Sequence, residues 1–447
     1  MRTTRPDLAF PALAYAVLGA ALLVALAAWE GRAYLEYSDG VYAYTADAIR
    51  GAPRLYRDVA AAQPPGIFWL GASVLSLHDS VEALRAAVAG LALVQGGLVA
   101  LAVSRLTRSA PAAVLAGLAS LLAPWSLHEH GALIPETVGA PVLLGAALLA
   151  ARPRWAPVAG ALGALALLVK VSFLAPVAAV GAVAARRAGY LAGALVAGAA
   201  GAGLFLALYG TAGWDNVVTA QFQTGGAPAD YALRLWSQAA WNLLPLLAVG
   251  LAAWGLRDRV ADRALLLTLT ALTLGAAALA AGVAKSGTFL QFLVVVEAPA
   301  VALAATTVTC GLRALREGSR RPAAACSQRG ASLRPAAVAA GVATAGALGL
   351  TAAQSASMLL SPTSPGLLER PASRIDLGWL QDDGQVAASV RTARACPPGT
   401  SYSGSPYLAF VAGRRMPGGQ PDQFITLAAE VHAGLRRAAQ ADKARCP

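Results

Sequence analysis

Charged residues are scarce in this sequence of 447 residues. Only 13% of the residues are charged, about half of the roughly 25% that is usual in soluble globular domains, whereas 57% are hydrophobic. This composition excludes a soluble enzyme. The hydrophobic residues form repeated runs of about 20, the length that a helix needs to cross roughly 30 Å of hydrocarbon. The sequence therefore predicts an all-α, polytopic membrane protein.

Cysteine and lysine are also rare. Four cysteines are too few for a scaffold built on disulfides. Lysine occurs three times and arginine 32 times, a bias that we attribute to a GC-rich bacterial genome. No Walker motif, Rossmann fingerprint, zinc-binding spacing or nucleophile elbow is present, so the sequence does not support ATP hydrolysis or the chemistry of soluble enzymes.

The net charge is +12, and the positions of the basic residues along the chain agree with the predicted topology. A charge of this size would otherwise suggest nucleic-acid binding, but 17 of the 35 basic residues fall in the N-terminus and in five loops between apolar runs. Cytoplasmic loops of membrane proteins are enriched in Arg and Lys. The sequence therefore predicts no nucleic-acid partner and a cytoplasmic location for these 17 residues: Arg2, Arg5, Arg105, Arg108, Arg152, Arg154, Arg186, Arg187, Arg257, Arg259, Arg263, Arg313, Arg316, Arg320, Arg321, Arg329 and Arg334.

The apolar runs predict about eleven transmembrane helices within residues 1–357. The first run, at 8–29, is interpreted as a span; a signal peptide is the alternative, since Ala25-Leu26-Ala27 resembles a cleavage site. A short apolar stretch at 65–77 is interpreted as a helix at the outer interface, because one more span there would turn every later basic loop outward. The other spans are predicted at 84–104, 110–127, 136–151, 155–169, 171–185, 189–209, 240–256, 264–284, 288–310 and 335–357.

Two polar regions are predicted to lie outside the cytoplasm: the first loop, at 30–83, and the C-terminal region, at 358–447. We expect the latter to be a small α/β or α+β domain with a helix at about 422–440. It carries Cys396 and Cys446, which share an oxidising compartment and could form a disulfide. Residues 311–334 are predicted to be a disordered cytoplasmic linker, and Cys310 and Cys326, near this face, are expected to be free thiols.

The first loop carries the densest group of polar motifs. Asp39 lies shortly after the first span and is followed by Gly40. This carboxylate has two interpretations, as the N-cap of a helix over Tyr42–Ile49 or as a catalytic group. Further along the chain come Tyr56-Arg57-Asp58, Gln63-Pro64-Pro65-Gly66 and, near the start of the second span, Arg85.

Together these motifs resemble the first luminal loop of GT-C glycosyltransferases. More closely, they resemble those of bacterial relatives of protein O-mannosyltransferases and of the lipid A aminoarabinose transferase. The resemblance covers about residues 8–310 and includes Ile134-Pro135-Glu136, Gly160–Lys170 and Lys285-Ser286-Gly287. It implies transfer of a sugar from a polyprenyl-phosphate donor to a lipid, glycan or protein, at the outer face of a bacterial inner membrane.

This resemblance also implies roles for individual residues. An inverting transfer needs a base for the acceptor hydroxyl, and cations or hydrogen-bond donors for the leaving phosphate. Asp39 would be the base; the mannosyltransferase branch has an Asp-Glu pair here, so a single catalytic carboxylate is expected in this chain. No cofactor is expected. The residues expected to bind the donor phosphate or the substrate are Arg57, Asp58, Arg85, His128, Glu129, Glu136, Lys170 and Lys285.

Several of these residues have simpler explanations. Lys170 and Lys285 could be snorkelling residues at helix ends, and Glu136 could be a first-turn carboxylate favoured by the helix dipole. His128-Glu129-His130 could hold a divalent cation or simply be a polar loop. A second external loop is predicted at 210–239, with aromatic and amide side chains suited to sugar stacking or to an interfacial belt.

Two other classes of function remain open at this point. A transporter or lipid flippase should show two related halves and charges near the middle of the membrane, whereas the ionisable groups here cluster at the outer face. A non-catalytic envelope assembly protein would use the C-terminal region as its working part and Asp39 as a cap.

Overall fold

The computed structural model is mainly helical over the residues that it describes. These are residues 9–30, 37–51, 53–129, 131–223, 226, 228–284, 290–319, 346, 349–356, 383–397, 400–421, 437, 442 and 445–446. The helices are α1 (Ala9–Glu30), α2 (Tyr37–Ala48), α3 (Gly66–Leu77), α4 (Val81–Thr107), α5 (Ala110–Leu121), α6 (Pro124–His128), α7 (Pro135–Ala150), α8 (Ala156–Leu167), α9 (Leu174–Val183), α10 (Arg187–Trp214), α11 (Ala220–Gln223), α12 (Ala229–Leu251), α13 (Arg263–Ala277), α14 (Leu293–Ser319), α15 (Asp383–Arg394) and α16 (Pro406–Ala412).

Shorter elements join or extend these helices. Single 3₁₀ segments cover Pro153–Trp155, Val171–Phe173, Ala252–Arg259, Ala278–Ala284, Leu290–Phe292 and Pro417–Gly419, and a π-helical segment covers Asp215–Thr219. Residues 349–356 are helical. The strands β1 (Ser401–Tyr402) and β2 (Arg445–Cys446) pair in parallel.

Local sequence signals fix where several helices begin. Ser80, Ser109 and Asp262 each accept a hydrogen bond from the amide three residues later, at the starts of α4, α5 and α13. Such side-chain oxygens satisfy N–H groups that the first helical turn leaves free. Pro124 and Pro135 are the first residues of α6 and α7, where the missing amide hydrogen costs no helical hydrogen bond.

Within the ranges that the structure describes, five helical segments are long and apolar enough to cross a membrane: Val81–Thr107, Arg187–Thr219, Ala229–Arg259, Arg263–Gly282 and Leu290–Glu317. Shorter apolar helices of 10–17 residues lie at Pro11–Leu26, Gly66–Leu77, Ala110–Leu121, Pro135–Ala150 and Val171–Val183. The first ten predicted spans each overlap one of the helices, and the stretch predicted as an interfacial helix is α3. The eleventh span, at 335–357, lies only partly within the described residues.

Three predicted boundaries were wrong. The span at 110–127 is broken after Leu121, because Pro124 restricts the backbone before it and cannot continue a helix from α5. The chain does break at Gly210, where φ is 56° and ψ is −143°, but the predicted external loop at 210–239 is mostly helical, since a helical stretch follows the break up to Trp214 and α12 begins at Ala229. The predicted start of the linker, at 311, is too early, because α14 continues to Ser319.

An amphipathic pattern explains the extension of α12. The sequence of its first three turns is polar, which is why a loop was predicted there, but Ala232, Leu235 and Gln238 form a buried face. On the exposed side Arg234 pairs with Asp230 at 3.1 Å, the spacing that supports a helix. The polar residues therefore form one face of a helix.

The basic loops meet at one end of the helical bundle. Asp262 accepts hydrogen bonds from Arg105 at 2.8 Å and from Arg152 at 3.1 Å, and so joins three loops. Arg259 pairs with Glu317 at 2.6 Å, and the amide of Ala185 donates to the carbonyl of Ala150 at 2.9 Å. We call this the basic end, and the opposite end, which carries α2 and α3, the loop end.

Small residues allow the closest helix contacts. α8 crosses α10 where Gly160 faces the Tyr190 carbonyl and Gly193 faces the Pro157 carbonyl; a Cβ at either glycine would lie 1.9 Å from that oxygen. Close approach of helices through small residues is the usual source of packing energy inside membranes. The centre of the bundle is α14, around which α4, α5, α7, α12 and α13 pack.

The C-terminal segment, comprising α15, β1, α16 and β2, packs onto α2. Its core contains Tyr402, Tyr407 and Met416 together with Tyr44 of α2. The predicted disulfide between Cys396 and Cys446 is confirmed, across a separation of 50 residues, and Cys310 is a buried free thiol. Three predictions fall outside the described residues: the helix at 422–440, of which residue 437 alone is described, the boundary at 357/358, and the free thiol of Cys326.

Candidate active site at the loop end

Asp39 lies in the first turn of α2, and its side chain faces another part of the chain. Oδ1 accepts a hydrogen bond of 2.7 Å from the amide of Leu133, and the residue is only 5% exposed. Since α2 begins at Tyr37, Asp39 is within the helix and not before it. The interpretation of Asp39 as an N-cap was therefore wrong.

The surroundings of Asp39 leave its charge only partly compensated. Burial raises the pKa of Asp39 from 3.8 to about 6; the positive charge of Arg85 and the Leu133 amide act in the opposite direction, and the negative charge of Glu129 adds to the rise. A base works best when its pKa lies near the working pH. Asp39 is thus ionised at neutral pH yet able to accept a proton.

Arg85 connects Asp39 to the C-terminal segment. Its Nη2 donates a hydrogen bond of 3.0 Å to the hydroxyl of Tyr407, and its guanidinium carbon lies 5.7 Å from the centre of the same ring. Burial raises the pKa of Tyr407, so this hydroxyl remains protonated. Next to it Gly40 lets the chains approach, because a Cβ at Gly40 would lie 2.4 Å from the backbone nitrogen of Tyr407.

The segment from Glu129 to Glu136 brings further predicted residues to the same region. Glu129, whose charge acts on Asp39, is buried, and Leu133 supplies the amide that holds Asp39. Glu136 begins α7, is 1% exposed, and forms an ion pair with Lys170 through Oε1. Its Oε2 is buried and has no hydrogen-bond partner within the part of the chain that the structure describes.

Lys170 is placed by the turn between two short helices. α8 ends at Leu167 and α9 begins at Leu174, and the turn is tied to the first loop by a hydrogen bond of 2.8 Å from the Gly66 amide to the Leu168 carbonyl. The Gln63-Pro64-Pro65-Gly66 motif therefore lies against the turn that carries Lys170. Lys170 forms an ion pair with a buried carboxylate, whereas a snorkelling lysine would extend its ammonium group into water.

Arg57 and Asp58 lie elsewhere on the first loop. Asp58 pairs with Arg54 at 3.1 Å, a contact that lowers the pKa of Asp58. Arg57 is exposed and lines a groove of about 850 Å³ between this loop, α3 and the end of α10. We call this the outer groove; Trp69 and Tyr209 line it, and Asp39 is not among its lining residues.

Other predicted groups are outside the described residues. Lys285, His130 and the side chain of His128 belong to this set, so the metal hypothesis for His128-Glu129-His130 and the role of Lys285 stay predictions. Among the residues that the structure describes, no three His, Cys, Asp or Glu side chains group as metal ligands.

Glu297 is a buried carboxylate that the sequence interpretation missed. It accepts hydrogen bonds of 2.9 Å from the amides of Trp125 and Ser126, at the first turn of α6. Glu297 thereby holds the turn that leads to Glu129. A carboxylate inside a predicted span is costly and usually has a partner, and this rule would have drawn attention to it.

Comparisons with known proteins identify the fold. No protein family profile and no curated protein sequence matches the chain. The crystal structure of ArnT from Cupriavidus metallidurans bound to undecaprenyl phosphate is similar with a TM-score of 0.62 and 17% identity, over 94% of this chain and 88% of that one. The archaeal oligosaccharyltransferase AglB from Archaeoglobus fulgidus, in complex with an inhibitory peptide and a dolichol-phosphate, has a TM-score of 0.50 and 14% identity, over 92% and 64%. The predicted GT-C fold is confirmed.

Proposed function

We propose that this GT-C membrane protein is a glycosyltransferase that moves a sugar from a polyprenyl-phosphate donor to the hydroxyl group of an acceptor, with Asp39 as general base. The observation that carries the proposal is the buried carboxylate of Asp39, which a backbone amide orients and which lies beside Arg85. ArnT bound to undecaprenyl phosphate and AglB in complex with a dolichol-phosphate have the same fold, which supports a polyprenyl-phosphate donor.

In this mechanism Asp39 takes the proton of the acceptor hydroxyl as its oxygen attacks the anomeric carbon of the sugar. A new C–O bond forms on one face of that carbon, and the bond to the phosphate oxygen breaks on the other. The phosphate leaves with the bonding electrons and remains attached to the polyprenyl chain. The hydrogen bond from Leu133 to Oδ1 keeps the carboxylate in one orientation, which is the main requirement for an efficient base.

Two positively charged side chains at the loop end, Arg85 and Lys170, support binding of the leaving phosphate. Arg85 is held by Tyr407 and Lys170 by Glu136, so neither cation needs to be ordered when the donor binds. Fixed cations stabilise the charge that develops on a leaving phosphate. Because phosphate is already a good leaving group, we propose that the reaction needs no cofactor. Arg57, Asp58, His128, Glu129 and Lys285 remain proposed substrate-binding residues.

The proposed site faces away from the cytoplasm. Each of the five predicted basic loops contributes at least one described residue to the basic end, and positive loops stay in the cytoplasm. The loop end, with Asp39, would then be extracytoplasmic in a bacterial inner membrane. The acceptor would be a lipid, glycan or protein on that side, and the transferred group a hexose or pentose.

The test is the substitution Asp39→Asn in the purified, lipid-reconstituted protein. Asn keeps the shape and the acceptor for the Leu133 amide but does not take a proton, so transfer from a polyprenyl-phosphate sugar that the native protein accepts should fall about 10² to 10⁴ fold. Release of polyprenyl phosphate, followed by mass spectrometry, measures the rate. Asp79→Asn is the matched control, since Asp79 belongs to the same loop and its side chain is 71% exposed.

Nearly native transfer by a folded Asp39→Asn protein would reject this mechanism. A transporter or flippase, or an envelope assembly protein, would then be the better explanation of the fold.

A further inference from the structure

A groove at the basic end has the features of a lipid site. It lies between α4 and α7, has a volume of about 410 Å³, and is lined along its length by Leu98, Leu101, Gly145 and Leu149. We call it the basal groove. It is separate from the proposed active site, which lies at the loop end.

The floor of the basal groove is apolar and open to the surroundings of the bundle. Leu101 is 37% exposed, and Gly145 leaves room beside Leu98, since a Cβ at Gly145 would lie 3.9 Å from the nearest Leu98 carbon. In a membrane such a surface faces acyl chains. The shape therefore fits an apolar chain lying between two helices.

Positive charge is concentrated at one end of the same groove. Arg105, Arg152 and Arg154 line it, and Asp262 is the one carboxylate among the described residues that pairs with any of them, through its contacts with Arg105 and Arg152. These four side chains carry three positive charges and one negative charge. Within the described part of the chain, the guanidinium of Arg154 forms no ion pair and stacks 5.6 Å from the Trp155 ring centre.

The order of these groups along the groove matches that of a phospholipid. Trp residues of membrane proteins concentrate at the level of the headgroups, which places Trp155 and the guanidinium of Arg154 there. The leucines lie deeper, at the level of the acyl chains. Basic pockets between helices on the cytoplasmic side are a recognised form of anionic lipid recognition.

We infer that the basal groove binds one anionic phospholipid of the surrounding bilayer, with an acyl chain along Leu98 and Leu101 and the headgroup phosphate at Arg152 and Arg154. The excess positive charge selects an anionic over a zwitterionic headgroup. The apolar floor selects a membrane lipid over a free phosphate ion. The site does not depend on the glycosyltransferase proposal.

Native mass spectrometry of the full-length protein, titrated with phosphatidylglycerol or phosphatidylcholine, tests the inference. The native protein should retain one phosphatidylglycerol in preference to phosphatidylcholine. Arg154→Gln should lower the affinity for phosphatidylglycerol about fivefold, the usual effect of one basic residue near an anionic lipid. The matched control is Arg187→Gln, because Arg187 is exposed at the same end but does not line the groove.

A second variant tests the apolar floor. In Gly145→Leu the first side-chain carbon fits without a clash, and the rest of the side chain fills the groove, so retention of the lipid should be lost although all the arginines remain. If this variant does not fold, Arg154→Gln decides alone. Three results would overturn the inference: equal retention of the two lipids, equal affinity of Arg154→Gln and Arg187→Gln, or displacement of the lipid by millimolar inorganic phosphate.

Discussion

Asp39 combines deep burial with contacts that still favour its ionised form. The amide of Leu133 and the charge of Arg85 stabilise the carboxylate, while burial and Glu129 disfavour it. The pKa of about 6 results from this competition and depends on groups from two separate parts of the chain, Arg85 in α4 and the segment from Glu129 to Leu133. A change in any of them should alter the protonation of Asp39 in a direction that follows from its charge.

The pH dependence of transfer should report this pKa. Because the base works only when ionised, kcat/KM should be constant above about pH 7 and fall about tenfold per unit well below pH 6. A rate that stayed constant down to pH 4.5 would exclude Asp39 as the base. The pKa of Asp39 is higher in the folded than in the unfolded chain, so protonation of Asp39 between pH 6 and 4 favours the folded state. A fall in kcat/KM over this range is therefore not explained by unfolding that the protonation of Asp39 causes.

Tyr407 is predicted to position Arg85. Tyr407→Phe removes the hydroxyl that accepts from Arg85 and keeps the ring, so Arg85 should lose its fixed place beside Asp39. Its lowering effect on the pKa of Asp39 would then weaken, and the acid limb of kcat/KM should move to higher pH. Tyr402→Phe, in the same C-terminal core, should leave the profile unchanged. An identical profile for both variants would show that Tyr407 is only a packing residue.

The sequence could identify Asp39 but not its partner Tyr407. Asp39 belongs to a local motif, whereas Tyr407 is 322 residues away from Arg85, and no local pattern links them. Arg57 and Asp58, whose substrate-binding roles stay predictions, lie apart from Asp39 for a different reason. Tyr56 has a positive φ of 68° and is buried, and this turn directs the next residue, Arg57, outward into the outer groove.

At the scale of elements, the contact between α2 and α16 brings Tyr407 to Arg85 in the candidate site. Gly40→Ala tests it directly, because the added Cβ would lie 2.4 Å from the Tyr407 nitrogen. Overpacking of this kind costs about 1–3 kcal/mol, so the protein should unfold at a lower temperature and its C-terminal segment should be cut faster by protease.

Gly90→Ala is the control for this substitution. Gly90 is also helical, and a Cβ there meets nothing within 4 Å, so alanine should be neutral or stabilise by up to about 1 kcal/mol. Equal melting temperatures for the two variants would mean that α2 and α16 are not in close contact.

The existence of the helices was more predictable than their ends. Long apolar runs gave correct positions because burial in lipid requires helical backbone pairing. The ends depend on features that mean hydropathy does not measure. The break after Leu121 depends on a nearby proline, and the start of α12 at Ala229 depends on the amphipathic pattern of its polar first turns. These are the places where local chemistry outweighs mean hydropathy.

At the scale of the whole molecule, the clustering of basic loops at one end gives a testable topology. In a Cys326→Ser background, a cysteine introduced at Arg57 should react with a membrane-impermeant maleimide in intact spheroplasts, and a cysteine introduced at Arg187 only after lysis. Both arginines are exposed, so access to the reagent is decided by the side of the membrane. The opposite labelling pattern would place Asp39 in the cytoplasm.

The short helices α8 and α9 have a consequence for the bilayer itself. The α-helical parts, of 12 and 10 residues, rise about 18 and 15 Å, and the 3₁₀ segment directly before each adds about 6 Å, still less than the hydrocarbon core of about 30 Å; Leu165 and Leu174 are exposed on them. Lipids that meet this hairpin should thin locally to avoid the hydrophobic mismatch. Thinning would bring headgroups down to the depth of Lys170, so a polyprenyl phosphate would have less far to travel, and transfer should slow in bilayers of longer-chain lipids.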